Sequence, residues 1–137
     1  MKIKVIDFGF KKMPMRAHYN DAGADVSSTI NAHLSPGQTI KIPLGFGIEL
    51  PDGFMAINLP RSGLSSQGII SQIPPIDSGY RGEIHAIITN THPANSFKIH
   101  EGDRIAQLTI IPVVLADYVS DLGDERTSAG FGSTGIN

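Results

Sequence analysis

Two short turns hold the residues best suited to chemistry. Pro60-Arg61-Ser62-Gly63-Leu64 is suited to an anion. Arg61 offers a planar fork that matches phosphate oxygens. Ser62 adds a hydroxyl donor, and Gly63 lets backbone N–H groups approach closely. Downstream, Ile76-Asp77-Ser78-Gly79-Tyr80-Arg81-Gly82 presents a carboxylate three residues before an aromatic ring. Acid beside glycine marks ordinary turns in most proteins. Tyr80, set between Gly79 and Arg81, changes the reading: it can stand out as a flat platform for a sugar or base while Asp77 activates water as a general base. Together the two turns predict a nucleotide-processing site.

Three further segments are candidates. Asp25, in Ala22-Gly23-Ala24-Asp25-Val26, is by itself more often a turn residue than a ligand. Gly102-Asp103-Arg104-Ile105-Ala106-Gln107-Leu108 reads as a turn entering a strand, with Asp103 and Arg104 bracing the turn and Gln107 on a polar or ligand-facing side. Gly130-Phe131-Gly132-Ser133-Thr134-Gly135 has the small residues and hydroxyls of a phosphate cradle, but no Lys follows the glycines, so it is not a P-loop. The five histidines (His18, His33, His85, His92 and His100) show no metal-ligand spacing.

The elements that must position these residues read as short strands. Fifteen glycines and nine prolines punctuate brief apolar runs in a chain of 137 residues. Lys2–Phe8 alternates, with Ile3 and Val5 on one face. In Thr39–Leu50, Ile40, Ile42, Leu44, Phe46, Ile48 and Leu50 share one face. Pro51-Asp52-Gly53 is a turn, and Phe54–Leu59 reads as the returning strand. Glu83–Asn90 and Arg104–Ala116 are rich in Ile, Val and Thr. Pro74-Pro75 demotes Ile69–Ile76 to an edge or irregular strand. Only Arg61–Gln67 suits a short helix. The expected fold is all-β, a jelly-roll-like barrel or double-sheet sandwich. Residues 1–118 would form the core and 119–137 a flexible C-terminal arm.

Composition narrows the function classes. Net charge is −2, so no global basic footprint points to nucleic acid. Without cysteine there is no disulfide, thiolate nucleophile or thiolate metal site. No apolar run approaches the ~20 residues of a membrane helix, and the N-terminus lacks a signal-peptide core, so a cytoplasmic protein is expected. Charged residues make up 18% of the chain. Against about 25% in typical soluble domains, this predicts neutral surface buried in an oligomer.

The five segments, in this order, resemble the five motifs of the trimeric dUTP pyrophosphatase (dUTPase) family, and the resemblance covers nearly the whole chain. It implies a jelly-roll-like β-barrel, a homotrimer with three active sites at subunit interfaces, and a C-terminal arm closing over a neighbour's site. It implies conversion of dUTP and water to dUMP and pyrophosphate with Mg²⁺, which keeps uracil out of DNA and supplies dUMP for dTMP synthesis. Asp77 would orient the attacking water, and Tyr80 would pack on the deoxyribose and exclude a 2′-hydroxyl. Arg61, Ser62, Gly63 and Gln107 would hold the phosphates. Asp25 would support the metal through water. Arg126, Phe131, Gly132 and Ser133 would close the lid, with Phe131 over the uracil. Ser71 and Ile76 fall in the base-reading hairpin, and His85 where the family approaches the nucleotide with backbone.

The chain departs from this pattern between Gly68 and Asp77. Ile69-Ile70-Ser71-Gln72-Ile73-Pro74-Pro75-Ile76 is about two residues shorter than the family's hairpin and lacks its Asn, so Ser71 or Gln72 stands nearest that place. Two alternatives follow from the same resemblance. A dCTP deaminase needs a Glu in the strand after Asp77, where this chain has Ile87. A nucleotide-dependent regulatory protein would bind dUTP and switch a protein partner.

Overall fold

The computed structural model describes residues 1–123. The expectations for Arg126, Phe131, Gly132 and Ser133 lie outside the described residues. The strands are β1 (Lys4–Asp7), β2 (Ala24–Ser27), β3 (Ala32–Leu34), β4 (Thr39–Pro43), β5 (Phe46–Glu49) and β6 (Phe54–Leu59), followed after one helical turn, α1 (Ser62–Ser65), by β7 (Ile69–Ser71), β8 (His85–Asn90), β9 (Phe97–Ile99) and β10 (Arg104–Pro112).

All strand pairings are antiparallel and fall into four small sheets: β1-β5, β2-β10-β6, β3-β9 and β4-β8-β7. None closes on itself, which corrects the expected jelly-roll-like barrel. Closure needs a continuous, staggered ladder. Here the ladders are cut short by backbone that cannot continue them. The run Thr39–Leu50 is the clearest case. Its inward face is as expected, since Ile42, Leu44, Phe46, Ile48 and Leu50 are all buried. Yet it breaks at Gly45, whose φ is +80°, into β4 and β5, which pair in different sheets. A Cβ at Gly45 would lie 2.6 Å from the Phe10 backbone, so no larger residue fits this bend. Phe54–Leu59 is a strand, but it pairs with β10 and not with the strand before it.

The core joins Val26, Leu34, Ile42, Leu44, Phe46, Ile84, Ile88 and Ile105 between these sheets. β7 is a three-residue edge strand on β8, as the proline doublet predicts. Beyond Pro112 the chain leaves regular structure with Val114, Leu115, Tyr118, Val119 and Leu122 exposed. Among the described residues, no helix is long and apolar enough to cross a membrane.

Candidate active site

The turn expected to hold an anion is assembled by three strands. Gln107 on β10 faces Leu59 on one side and Asp25 on the other. Its amide nitrogen donates to Pro60 O at 2.9 Å, which ties the end of β6 to β10. Gly23 is required beside it, because a Cβ there would lie 2.7 Å from Gln107 Oε1. Arg61 follows in extended conformation, and α1 begins at Ser62.

Asp25 Oδ1 lies 3.4 Å from Arg61 Nε, and Oδ2 lies 3.9 Å from Arg104 Nη1. Arg61 Nη1 also donates to Arg104 O at 3.1 Å. One carboxylate thus orders two guanidiniums and leaves the group net positive. Arg61, Arg104 and Asp103 border an open cleft of about 360 Å³. Ser62 and Gly63 are exposed, with nothing within 4 Å of a Cβ built on Gly63. Asp103 braces its turn as expected, accepting the His100 N–H at 2.8 Å. Arg104 does not brace that turn with its side chain; its guanidinium faces Asp25. No local pattern signals this, because the Asp25–Arg104 approach depends on the β2–β10 register.

The second turn is held by different partners. Ile76 and Ala56 exchange both backbone hydrogen bonds, at 2.7 and 3.0 Å. Ser78 Oγ donates to Asp52 Oδ1 at 3.2 Å, and the Tyr80 N–H donates to Asp77 O at 3.1 Å. The Arg81 guanidinium caps the same turn through Ser78 O. Tyr80 Oη donates to Glu83 O at 2.7 Å, and Glu83 Oε2 accepts the Gly45 N–H at 2.9 Å. The ring rests on Gly82, where a Cβ would come 2.6 Å from Tyr80 Oη. Tyr80 remains 46% exposed, which leaves ring surface for a ligand. Asp77 is exposed, and its carboxylate has no hydrogen bond or ion pair among the described residues.

The structure does not bring the two turns together within one chain. Ala56 marks the Asp77 end of β6, and Arg61 follows its other end. The five to six residue steps along the strand set Asp77 and Arg61 about 15–20 Å apart. Ser71 is also placed apart from any open surface: it is 4% exposed, with its hydroxyl against Gln72 O at 3.0 Å and Asn58 O at 3.4 Å. Ile76 is half-buried beside Ala56. The His85 ring turns back to Glu83 O at 3.2 Å. No cluster of three His, Cys, Asp or Glu suited to a metal occurs among the described residues.

A family model described as dUTPase matches residues 10–135. The chain is 41% identical over 131 residues to the deoxyuridine 5′-triphosphate nucleotidohydrolase of Cutibacterium acnes, covering 91% of this chain and 86% of the relative. The enzyme of the same name from Leifsonia xyli subsp. xyli is 42% identical with the same coverage. Among solved structures, a point variant of the phage phi11 dUTPase of S. aureus, described for its structural Mg(II) ion, superposes with a TM-score of 0.81 at 25% identity, covering 90% of this chain and 99% of that one. A variant of the Staphylococcus bacteriophage 80alpha dUTPase with dUpNHpp gives 0.79 at 27% identity, covering 98% and 99%.

Proposed function

The chain belongs to the dUTPase family; it is an enzyme that hydrolyses dUTP to dUMP and pyrophosphate, and we propose that it does so by in-line attack of a water oriented by Asp77 on the α-phosphorus. The observation that carries the role of Asp77 is the contrast between two carboxylates. Asp25 is engaged by Arg61 and Arg104, whereas the exposed Asp77 is left to accept a proton. A positioned base of this kind contributes about 10²–10⁴-fold.

Arg61, Ser62, Gly63 and Gln107 hold the phosphate chain, with Arg104 added to the set because its guanidinium shares Asp25 with Arg61. Charge on the transferring phosphoryl group is met by these preset donors, so positioning and electrostatics do most of the work. Tyr80 packs on the deoxyribose. Ile76 and the backbone at His85 border the base, whereas the buried hydroxyl of Ser71 sets the hairpin stem.

The residues present fit a metal carried in by substrate rather than one caged by protein. The nearby donor set is a single carboxylate, Asp25, already shared by two guanidiniums. Mg²⁺ prefers hard oxygens and retains water. Its ligands would come from the triphosphate, with Asp25 reaching it through water. When bound, the ion offsets charge on the phosphate chain.

In-line attack needs reacting atoms within about 3–3.5 Å. The separation of Asp77 from Arg61 along β6 therefore supports a site completed between copies, in a homotrimer with shared interface sites. The apolar row Val114, Leu115, Tyr118, Val119 and Leu122 is a surface suited to a neighbouring copy. Residues 1–118 form the core on this reading, and 119–137 the arm that closes over a neighbour's site, excluding water with Arg126, Phe131, Gly132 and Ser133. The cytoplasm is the proposed compartment, and the cellular role is to keep uracil out of DNA and to supply dUMP.

The test is pyrophosphate release by purified protein with Mg²⁺ and, separately, dUTP, dTTP, dCTP and UTP. Release from dUTP alone, leaving dUMP, supports the whole reading. Release from several nucleotides keeps the phosphate chemistry and rejects strict base reading. Binding of dUTP without release favours the regulatory alternative.

A further inference from the structure

The turn that carries Asp77 and Tyr80 runs between two anchored residues. Ile76 is bonded to Ala56, and Ile84 to Phe46 and Leu44. Among the described residues, two side-chain hydrogen bonds tie the intervening stretch to distant parts of the chain. On the Asp77 side, Ser78 Oγ donates to Asp52 Oδ1 at 3.2 Å. On the Tyr80 side, Glu83 Oε2 accepts the Gly45 N–H at 2.9 Å. Asp77 and Tyr80 thus have separate tethers.

Glu83 links the Tyr80 ring to a rigid bend. Its carbonyl accepts the Tyr80 hydroxyl at 2.7 Å while its carboxylate holds the Gly45 N–H. The His85 ring shares that carbonyl at 3.2 Å. Gly45 is a fixed reference point. It is buried, has a φ of +80°, and a Cβ there would meet the Phe10 backbone at 2.6 Å and Thr29 Cγ2 at 2.9 Å. Its carbonyl accepts the Phe8 N–H at 2.8 Å. Glu83 is the only acceptor for the Gly45 N–H among the described residues. A buried donor left unpaired is costly, so this bond keeps the carboxylate in place. The two segments also press together nearby: a Cβ at Gly47 would lie 2.5 Å from Gly82 O. Tyr80 has little else to hold it. Its ring is 46% exposed and rests on Gly82.

We propose that Glu83 is a specificity-determining positioning residue: it fixes the Tyr80 ring in place and thereby sets the preference for a deoxyribose over a ribose substrate. This rests on the reading that Tyr80 packs on the sugar. A wall that excludes an extra hydroxyl by collision works only while it cannot retreat. Glu83 supplies that resistance, because the Tyr80 hydroxyl is braced against a residue locked to the β4–β5 bend. The carboxylate is occupied at Gly45, so Glu83 acts through Tyr80 and not on the substrate. Asp77 keeps its own tether at Asp52, so turnover of dUTP does not depend on Glu83. Sugar choice and water activation are therefore separable in one turn.

The test compares wild type, Glu83→Ala and Glu83→Gln, each as assembled protein with Mg²⁺, by kcat/KM for dUTP and for UTP. Glu83→Ala should lower the dUTP-over-UTP ratio about tenfold, the scale of one hydrogen bond lost at a buried donor. Its kcat for dUTP should stay within about threefold of wild type. Glu83→Gln keeps an oxygen for the Gly45 N–H and should keep the ratio. A merely structural role would slow both nucleotides together and leave the ratio unchanged in Glu83→Ala, and that result overturns the proposal. So does a Gln variant that behaves like Ala, since charge rather than the bond would then matter. Should Glu83→Ala not fold, Glu83→Asp decides: it is one methylene too short for the Gly45 N–H, and an unchanged ratio there overturns the proposal. A wild type that uses dUTP and UTP equally would refute the sugar reading of Tyr80 itself. If no protein releases pyrophosphate, the hydrolytic mechanism fails, and the ratio of dUMP to UMP binding across the same variants decides the role of Glu83.

Discussion

Asp77 and Asp25 are both acids beside glycine, yet their surroundings separate them. Asp25 is a strut between Arg61 and Arg104, and Asp77 stands alone on a turn fixed through Ser78, Tyr80 and Ile76. Asp77→Asn should keep the fold and nucleotide binding and lose about 10²–10⁴-fold in kcat. Near-normal kcat in that variant would remove Asp77 from the mechanism. Tyr80 gives a second prediction. Its ring lies on Gly82, so Gly82→Ala must push it aside. The expected outcome is a reduced preference for dUTP over UTP, measured as a ratio of kcat/KM, with a loss of about 1–3 kcal/mol in stability from overpacking. An unaltered ratio would mean that the ring does not gauge the sugar.

At the level of elements, local patterns were readable and long-range pairing was not. The inward phase from Ile42 to Leu50, the edge character of β7 and the single helical turn after Arg61 all follow from alternation, proline and glycine. The split of Thr39–Leu50 into two sheets does not, because it depends on Phe10 packing against Gly45 from far along the chain. β2, β3 and β9 carry no local signature for a similar reason: each is three or four residues, too short to display a period. The site divides the same way. Arg61, Asp77 and Tyr80 are legible as residue types in turns. Arg104 meets Asp25 only because the β2–β10 register brings the two near. One element-scale prediction follows from Gly23, which lets β2 lie against Gln107. Gly23→Ala should displace Gln107 from Pro60 O and raise KM for dUTP several-fold, about the worth of one hydrogen bond, while kcat changes little. A fall in kcat with KM constant would place Gln107 in the chemical step instead.

The whole molecule is best tested by mixing. If each site takes Asp77 from one copy and Arg61 from another, Asp77→Asn and Arg61→Ala proteins are each inactive alone. Unfolded and reassembled together in equal amounts, they should regain about a quarter of wild-type activity, since one in four randomly formed interfaces joins two intact halves. No recovery from mixed trimers would show that one chain supplies both turns. Removal of residues 130–137 should leave the trimer mass unchanged in gel filtration and slow turnover. A loss of the trimer would make that segment structural.

The placing of the two turns at opposite ends of β6 also has a genetic consequence. If sites are shared between copies as proposed, a subunit damaged in both turns would spoil two sites of every trimer it joined, one through each end. A cell carrying such an allele beside a normal one would lose more than half its activity, so a lesion in this short strand's neighbourhood would behave as dominant where a simple loss of the gene product would be recessive.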